Sequence, residues 1–403
     1  MRGFVRTLLA AVVAASAGTL AAHAYAQDAV KIGVLADMTG PSADIGGPGS
    51  VTAVELAVED FGGSVGGKKI SVVSADHLTK PDVGSQIAGR WYDVEGVDVI
   101  VDLPVSSVAL AVQRVATQRK KAVLITAGTA ADITGKACSP YSLHWADDTN
   151  ALAGGTAKAV VRSGGTRWYF LTVDMIFGHL MEQAASDAIQ AAGGTVLGSV
   201  RTPLNTSDFS SFILQAQTSK AQMVGLVEVG TDFINSVKGA SEFGLVAGGQ
   251  KLVGFLVYIS DIHSIGLKSV QGLEITSSFY WDKNEETRAF AKRFFERRKV
   301  MPTKVHAENY AAVTHYLNSV KATGSTDAEK TMAWMKQHAA NYFGQQANIR
   351  RDGRVLYDLD LYEVKAPGES RYPWDYYKKI DTLKAAEAFK PENPEVCALA
   401  RDN

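Results

Sequence analysis

The sequence is poor in cysteine, with only Cys138 and Cys397 among its 403 residues. Neither cysteine has the C-x-x-C or Cys/His spacing that zinc sites and redox centres need. No two histidines lie four residues apart, as the paired ligands of a helical zinc site would. We therefore expect no metal site and no redox centre.

The chain also lacks an excess of charge of either sign, because its formal net charge is −1. A nucleic-acid partner would need a basic face, so we expect none. After the N-terminus, no apolar stretch reaches the ~18 residues of a membrane span. With 46% hydrophobic and 21% charged residues, the chain can bury large cores, and its length predicts two domains.

The first 26 residues have the pattern of a cleavable export signal. Arg2 and Arg6 precede an apolar run over 8–17, and small residues close the segment in the sequence AYA at 24–26. We predict a signal peptide at 1–26. In an oxidising compartment, Cys138 and Cys397 could form one disulfide; otherwise they are two unrelated thiols.

Short β-branched segments alternate with longer amphipathic segments along the rest of the chain. Four such units follow one another from Lys31, and the pattern restarts near Thr166. The alternation predicts an α/β fold of two doubly wound, Rossmann-like lobes, each built on a parallel sheet. Ligands of such sheets bind at the carboxyl ends of the strands, so we expect the site in the cleft between the lobes.

The helical segments after residue 280 would pack on the first sheet, which requires the chain to recross between the lobes. We expect crossings near 276–280 and near 350–360, giving a three-strand hinge that closes by bending. The predicted division is an N-terminal lobe of 27–146 plus 277–353 and a C-terminal lobe of 147–276 plus 354–365. Residues 366–403 would form a strap whose end Cys397 could fasten.

A glycine-rich loop at 39–50 follows the first predicted strand, where a dinucleotide fold would hold its phosphates. The sequence G-x-G-x-x-G does not follow that strand, and no G-K-[ST] supplies a phosphate-binding lysine. We therefore predict no nucleotide cofactor and a flexible turn on the rim of the cleft.

Two neighbouring strand ends carry hydroxyl groups. Ser106 and Ser107 lie where a strand ends and a helix begins, so they could cap the helix or, with its free N–H groups, bind an anion. Gly128 and Thr129 occupy the next strand-end loop and could add donors. Together the two loops predict a carboxylate cradle. Because no candidate base faces these residues in the sequence, nucleophilic catalysis is not expected.

The second lobe has its own candidates at the cleft. Phe177 lies in a strand–helix loop, where its ring could cover a ligand or pack in the core. Glu228, Leu256 and Tyr258 follow two later strands and would lie near the corresponding edge.

In their order along the chain, these segments resemble the type I periplasmic solute-binding proteins of ABC transporters, in the branched-chain amino acid (leucine/isoleucine/valine) family. The matching pieces are IGVLADMTGPSADIGG, SSVALAV, ITAGTAADITG, FGHLMEQA, SSFYWDKN and HAENYAAVTHYL. The resemblance implies a periplasmic receptor that closes on a small solute and docks to a permease in the inner membrane. We expect a monomer without cofactors that is not an enzyme.

The resemblance also implies roles for single residues. The carboxylate-binding serine of the family corresponds to Ser106, or one position earlier to Val105, and the next anchors correspond to Gly128 and Thr129. The aromatic side chain from the second lobe corresponds to Phe177. Amino-acid-binding members place an acidic residue after the glycine equivalent to Gly254, whereas this chain has Leu256.

This departure bears on the ligand. A buried α-ammonium facing leucine would lack a partner, which costs several kcal/mol. Unless Glu228 substitutes, the ligand has a carboxylate without an α-amine, such as an aromatic or short aliphatic acid; otherwise it is an amino acid. A sensor lobe that reports to a regulator would have the same fold and site. An exported α/β enzyme is a weaker alternative, because no cofactor fingerprint or metal cluster is present.

Overall fold

The computed structural model describes residues 29–401. The predicted signal peptide at 1–26 lies outside these residues. Within the described part of the chain, no helix has both the length and the apolar character needed to cross a bilayer.

Residues 29–144 build a six-stranded sheet. Its strands are β1 (Ala29–Ala36), β2 (Ser64–Val65), β3 (Lys68–Asp76), β4 (Val99–Asp102), β5 (Ala122–Ile125) and β6 (Ser142–His144), and the helices between them are α1 (Gly47–Asp60), α2 (Pro81–Asp93) and α3 (Ser106–Arg119). The strand order is β2-β3-β1-β4-β5-β6, and every pair is parallel except β2–β3. β4 and β5 are fully buried and, apart from Asp102 at the end of β4, apolar, because helices cover both faces of the sheet.

Residues 149–277 contain a second, four-stranded sheet and the strand β11 (Glu274–Ser277), which lies outside that sheet. The helices are α4 (Thr149–Arg162), α5 (Ile176–Ala191), α6 (Ser210–Thr218), α7 (Thr231–Glu242), α8 (Ile259–Ile265) and α9 (Leu267–Val270), and the strands are β7 (Arg167–Val173), β8 (Thr195–Thr202), β9 (Met223–Val227), β10 (Lys251–Gly254) and β11 (Glu274–Ser277). β7 to β10 pair in the parallel order β10-β9-β7-β8. The chain therefore has two parallel, helix-covered sheets, as the alternating sequence pattern predicts.

The chain then returns to the first sheet. It forms α10 (Glu285–Arg298), α11 (Lys304–Thr323), α12 (Ala328–Gln337) and the strands β12 (Ala340–Tyr342), β13 (Gln345–Ile349) and β14 (Val355–Leu356). Phe290 and Phe294 of α10 and Ala307 of α11 pack in one core with Ala53 of α1 and Val101 of β4. We call the first sheet with these elements the first lobe, and α4 to β11 the second lobe.

The last part of the chain runs between the two lobes. β15 (Leu359–Val364) pairs antiparallel with β11 and with β16 (Tyr377–Leu383). After β16, a short helix α13 (Ala385–Ala388) leads Phe389 against Tyr357, and Cys397 forms a disulfide with Cys138 of the first lobe. The segment read from the sequence as an aperiodic strap thus contains a strand. It then returns to the first lobe as a fourth connection beside the three predicted ones.

Candidate functional site

A cavity lies between the carboxyl ends of the two parallel sheets. Its walls come from the segments that follow β1, β3, β4 and β5 in the first lobe and β7, β8, β9 and β10 in the second. The lining residues are Pro41, Ser42, Ile45, Thr79, Pro104, Val105, Ala127, Thr129, Met175, Phe177, Leu204, Val229, Leu256 and Tyr258. The strand-end rule therefore predicts the position of this cavity correctly.

The two lobes touch each other across the cavity. A β-carbon built on Gly230 of the second lobe would lie 2.6 Å from the Pro41 carbonyl oxygen of the first. Ile45 and Ala127 of the first lobe pack in the same apolar cluster as Phe177 and Leu256 of the second. The structure is thus a closed form, and closure requires a residue without a side chain at position 230.

No charged side chain is among the described residues that line the cavity. Ten of the lining residues are apolar, and the polar ones are Ser42, Thr79, Thr129 and Tyr258. Apolar walls with a few hydrogen-bonding groups are typical of sites for small organic molecules. The wall therefore offers hydrogen bonds to a ligand but no acidic partner for a cation.

The first lobe supplies the donors. Val105 is the N-cap of α3 and lines the cavity, and no side chain caps the helix there. The first backbone bond of α3 runs from the Ala109 N–H to the Val105 carbonyl, so the earlier N–H groups of the helix have no acceptor within it. The Thr129 hydroxyl, on the next loop, has no hydrogen bond to another described residue. An anion at this wall would meet a hydroxyl and the positive end of α3.

Ser106 and Gly128 do not line the cavity; they hold the two loops together. The Ser106 hydroxyl accepts a hydrogen bond from the Ala130 N–H at 3.2 Å, inside the protein. A β-carbon on Gly128 would lie 2.9 Å from the Leu103 carbonyl oxygen, so only glycine fits between the loops. Ser107 also lies outside the lining and is half-buried on the first turn of α3. Of the alternatives Ser106 and Val105, it is Val105 that reaches the cavity.

The loop after β4 has an unusual backbone. Asp102 and Leu103 have φ angles of +89° and +67°, which residues with a side chain rarely adopt. Asp102 is completely buried beside Ser50 and Asn309, and burial raises the pKa of its carboxyl to about 7. This strained loop sets the direction in which Pro104 and Val105 face the cavity, and backbone strain of this kind is often found at functional sites.

The second lobe supplies apolar surface. Phe177, on the first turn of α5, and Leu256, after β10, both line the cavity, as does Tyr258 at the start of α8. All three are almost fully buried because the closed lobes exclude water from them. These three sequence candidates are therefore brought together with Thr129 around one cavity.

Glu228 does not line the cavity. It is completely buried, and its Oε1 accepts a hydrogen bond from the Thr202 hydroxyl at 2.7 Å. Burial, together with the nearby Asp232, raises the pKa of Glu228 to about 8. At neutral pH this side chain is a protonated acid rather than a carboxylate that could pair with an ammonium group.

Several lining residues were not found from the sequence. Pro41, Ser42 and Thr79 lie in loops of the first lobe, and Met175 and Leu204 in loops of the second. Each of these residues follows a strand by a few positions, so the end of the strand indicates which loop contributes to the cavity. Which residue of a segment faces the cavity depends on the backbone of each loop, which the sequence pattern does not give.

The described residues contain no group of histidine, cysteine and acidic side chains that could hold a metal. The letters G-x-S-x-G occur at 62–66, but Ser64 is the exposed first residue of the two-residue strand β2. A nucleophile elbow needs a turn from a strand into a helix, so this match is not one.

The known proteins that resemble this chain in sequence or structure include periplasmic binding proteins. A family model described as periplasmic binding protein matches residues 29–369. A solved periplasmic binding protein from Burkholderia mallei is 45% identical, with 93% of this chain and 100% of that chain covered and a TM-score of 0.90. A branched chain amino acid ABC transporter periplasmic ligand-binding protein from Burkholderia xenovorans LB400 is 38% identical, with 92% and 100% covered and a TM-score of 0.82. Leu/Ile/Val-binding protein homolog 6 of Brucella melitensis is 24% identical, with 93% of this chain and 96% of its own length covered.

Proposed function

The chain belongs to the periplasmic binding protein family, and we propose that it is the solute-binding component of an ABC importer that captures a small carboxylic acid without an α-amine. The proposed ligand is an aromatic or short aliphatic acid. Like its relatives, the chain would bind and release its solute in the periplasm and hand it to a permease, without chemical change.

The uncharged wall of the cavity is the observation that carries this proposal. In the first lobe, the Thr129 hydroxyl and the amino end of α3 are suited to a carboxylate. In the second lobe, Phe177 and Leu256 are suited to a hydrocarbon body. A ligand with one acid group and an apolar remainder matches both walls.

An amino acid fits less well. Its ammonium group would leave water for a wall where the described lining residues include no acid, and burying an unpaired charge costs several kcal/mol. Glu228, the remaining candidate, is protonated at neutral pH and bonded to Thr202. The presence of leucine at position 256 therefore favours ligands without the amine.

The fold is able to hold such acids. A solute-binding protein of an ABC transporter from Rhodopseudomonas palustris, in complex with 4-hydroxybenzoate, has a TM-score of 0.82 to this chain. At 24% identity this likeness concerns the fold alone. The choice of ligand rests on the lining residues of this chain.

Matched pairs of compounds test the proposal. Leucine and 4-methylpentanoate share one carbon skeleton and differ by the α-amine, as do phenylalanine and 3-phenylpropanoate. We expect isothermal titration calorimetry to show tighter binding of the acid in at least one pair, by about tenfold or more, since each 1.4 kcal/mol is a factor of ten. Benzoate joins the screen as the smallest aromatic acid.

Tighter binding of leucine than of 4-methylpentanoate, with no heat from benzoate, would contradict the carboxylic-acid assignment and return the amino-acid alternative. The periplasmic role is tested separately. Export of the full chain with cleavage after residue 26, read from the N-terminus of the protein recovered from periplasm, is the expected result.

A further inference from the structure

A second, smaller cavity lies behind Tyr258. Tyr258 lines both cavities, so its ring forms part of the partition between them. The second cavity extends towards the connections between the lobes. Its polar lining residues are Tyr258, Ser277, Tyr280, Thr303, Lys304 and Tyr377. None of these except Tyr258 contributes to the site described above.

Lys304 brings a buried positive charge to this cavity. Its ammonium donates to Asp147 Oδ2 at 2.9 Å and lies 5.3 Å from the centre of the Tyr258 ring. A lysine ammonium has three N–H donors, and Asp147 is the one hydrogen-bond acceptor it has among the described residues. Two donors remain for a group inside the cavity.

Tyr377 provides a second unused donor. The residue is 6% exposed, it lines the second cavity, and its hydroxyl has no hydrogen-bond partner within the described chain. A buried hydroxyl without a partner is costly, so such a group points to an acceptor that occupies the cavity.

The amino end of α11 faces the same space. Thr303 is the N-cap of this 20-residue helix and Lys304 is its first residue, and both line the cavity. The amino end of a long helix carries a partial positive charge, which favours an anion.

The other polar side chains of the cavity are already engaged. The Ser277 hydroxyl donates to the Phe279 carbonyl at 2.9 Å, and the Tyr280 hydroxyl bonds Trp374 and Tyr376. Among the acids nearby, burial raises the pKa of Asp261 to about 8 and that of Glu308 well above its usual value. Asp261 is therefore neutral at pH 7 and does not repel an anion, and Asp147 forms a salt bridge with Lys304.

We propose that the second cavity is a binding site for a small oxyanion of carboxylate size, held by the Lys304 ammonium, the Tyr377 hydroxyl and the amino end of α11. The anion is either free in solution or the second acid group of a long ligand that reaches past Tyr258. The long-ligand source rests on the proposed function, whereas the free anion does not.

Paired tyrosine variants test the site. Tyr377→Phe and Tyr316→Phe each remove a buried hydroxyl that has no partner among the described residues, but Tyr316 lies in the core of the first lobe. The probe is sodium acetate at pH 7, titrated by calorimetry and thermal melting against sodium gluconate at equal ionic strength. We expect acetate to bind the wild type and Tyr316→Phe equally, and Tyr377→Phe about tenfold more weakly, as for the loss of a hydrogen bond to a charged group.

Titration with terephthalate, a dicarboxylate, identifies the source of the anion. If the anion belongs to a long ligand, Tyr377→Phe weakens terephthalate and leaves benzoate unchanged; if it is free, acetate binds in addition to benzoate. Acetate that enters the first cavity instead responds to Thr129→Val and not to Tyr377→Phe. If benzoate does not bind the wild type, the proposed function fails and the terephthalate comparison fails with it. If benzoate binds and Tyr377→Phe does not weaken terephthalate, only the long-ligand source of the anion fails.

Lysine variants provide a second measurement. Lys304→Met breaks the buried pair with Asp147, and Lys365→Met breaks a comparable pair with Asp375 outside the second cavity. Acetate binding should be lost in the first variant and kept in the second. Equal responses of Tyr377→Phe and Tyr316→Phe to both acetate and terephthalate would overturn the proposal and leave water as the occupant.

Discussion

The two lobes meet the same cavity with different chemistry. The first lobe presents a hydroxyl, from Thr129, and the free backbone N–H groups of α3, on loops that Ser106 and Gly128 hold together. The second lobe presents the hydrocarbon of Phe177 and Leu256 and keeps Glu228 buried and protonated. On the proposed function, the two lobes would divide the work: the first would recognise the acid group of the ligand, and the second would cover its body.

This division has a physical basis in the order of events. On the proposed function, an open cleft would expose the first-lobe donors to water, and a carboxylate would replace that water with little loss of hydrogen bonding. The second lobe would then gain apolar contact as it closes, which would favour the closed form only when a ligand body is present. Four sets of substitutions test how far the two lobes differ, and the loss of the disulfide should have the strongest effect.

Loss of the disulfide should destabilise the first lobe more than the second. Cys138 lies in the first lobe, and Cys397 fastens the end of the chain to it across 259 residues. Replacing both by alanine should lower the free energy of unfolding by about 3–5 kcal/mol, because a long loop is no longer closed. Guanidinium denaturation measures the loss, and hydrogen exchange should place it mainly in the first lobe. Equal acceleration of exchange in both lobes would show that the tail stabilises the whole molecule instead.

Gly230→Ala tests whether the two lobes must touch. The new methyl group would lie 2.6 Å from the Pro41 carbonyl oxygen, so the closed form is obstructed. We expect about a hundredfold weaker binding of benzoate, which corresponds to about 2.7 kcal/mol. Gly244→Ala is the matched control, because Gly244 also has a positive φ, +67° against +56°, but its β-carbon would have no neighbour within 4 Å. A similar loss of affinity in both variants would mean that backbone strain and not closure is responsible.

Thr129→Val tests the first-lobe donor. The substitution keeps the shape of the side chain and removes the hydroxyl, which should weaken benzoate binding by about 1–2 kcal/mol, or roughly tenfold. Thr129→Ser retains the hydroxyl and should restore most of the affinity in the same titration. Unchanged affinity in the valine variant would remove Thr129 from the site and leave the backbone of α3 as the anchor.

Glu228→Gln tests the protonation state in the second lobe. The pKa of Glu228 rises from 4.5 to about 8 on folding, so the folded state keeps a proton that the unfolded chain releases. The contribution of Glu228 to the free energy of unfolding is therefore greatest below about pH 4.5, and it decreases as the pH rises towards 8. Glutamine has no such proton, so the variant should gain melting temperature over the wild type as pH increases from 5 to 8.

Benzoate affinity provides the second readout for this variant. It should change less than about twofold at pH 7, because a neutral acid is replaced by a neutral amide that preserves the acceptor for Thr202. Glu242→Gln, an exposed change on α7 of the same lobe, is the control for both measurements. A large loss of affinity in Glu228→Gln alone would indicate that the carboxylate contacts the ligand.

The elements of the fold were predictable because each has a regular pattern. β5 and the first three residues of β4 are short runs of buried apolar residues, and α5 and α7 have one apolar face, so their types follow from the sequence pattern. β16 was not predicted, because its alternation is weak and its main stabilisation is backbone pairing with β15. Pairing between distant segments leaves no local signal in the sequence.

The candidate site was predictable as a set of loops and less so as a set of residues. Thr129, Phe177, Leu256 and Tyr258 reach the cavity, whereas Ser106, Ser107, Gly128 and Glu228 lie around it. The serines were selected for their chemistry, but both already lie within the first turn of α3, and Val105, the N-cap before them, faces the cavity. A shift of one residue at a helix start rotates a side chain by about 100° and takes it out of the cavity.

Local pattern and residue identity were enough to establish the α/β alternation, the loops at strand ends that line the cavity and the absence of an acid at position 256. The burial that protonates Glu228, the contact of Gly230 with Pro41, the disulfide and the second cavity behind Tyr258 became visible only in the folded chain. Each of these depends on atoms brought together from segments far apart in the chain. Their energies arise from excluded water and close approach, which exist only once the lobes have packed.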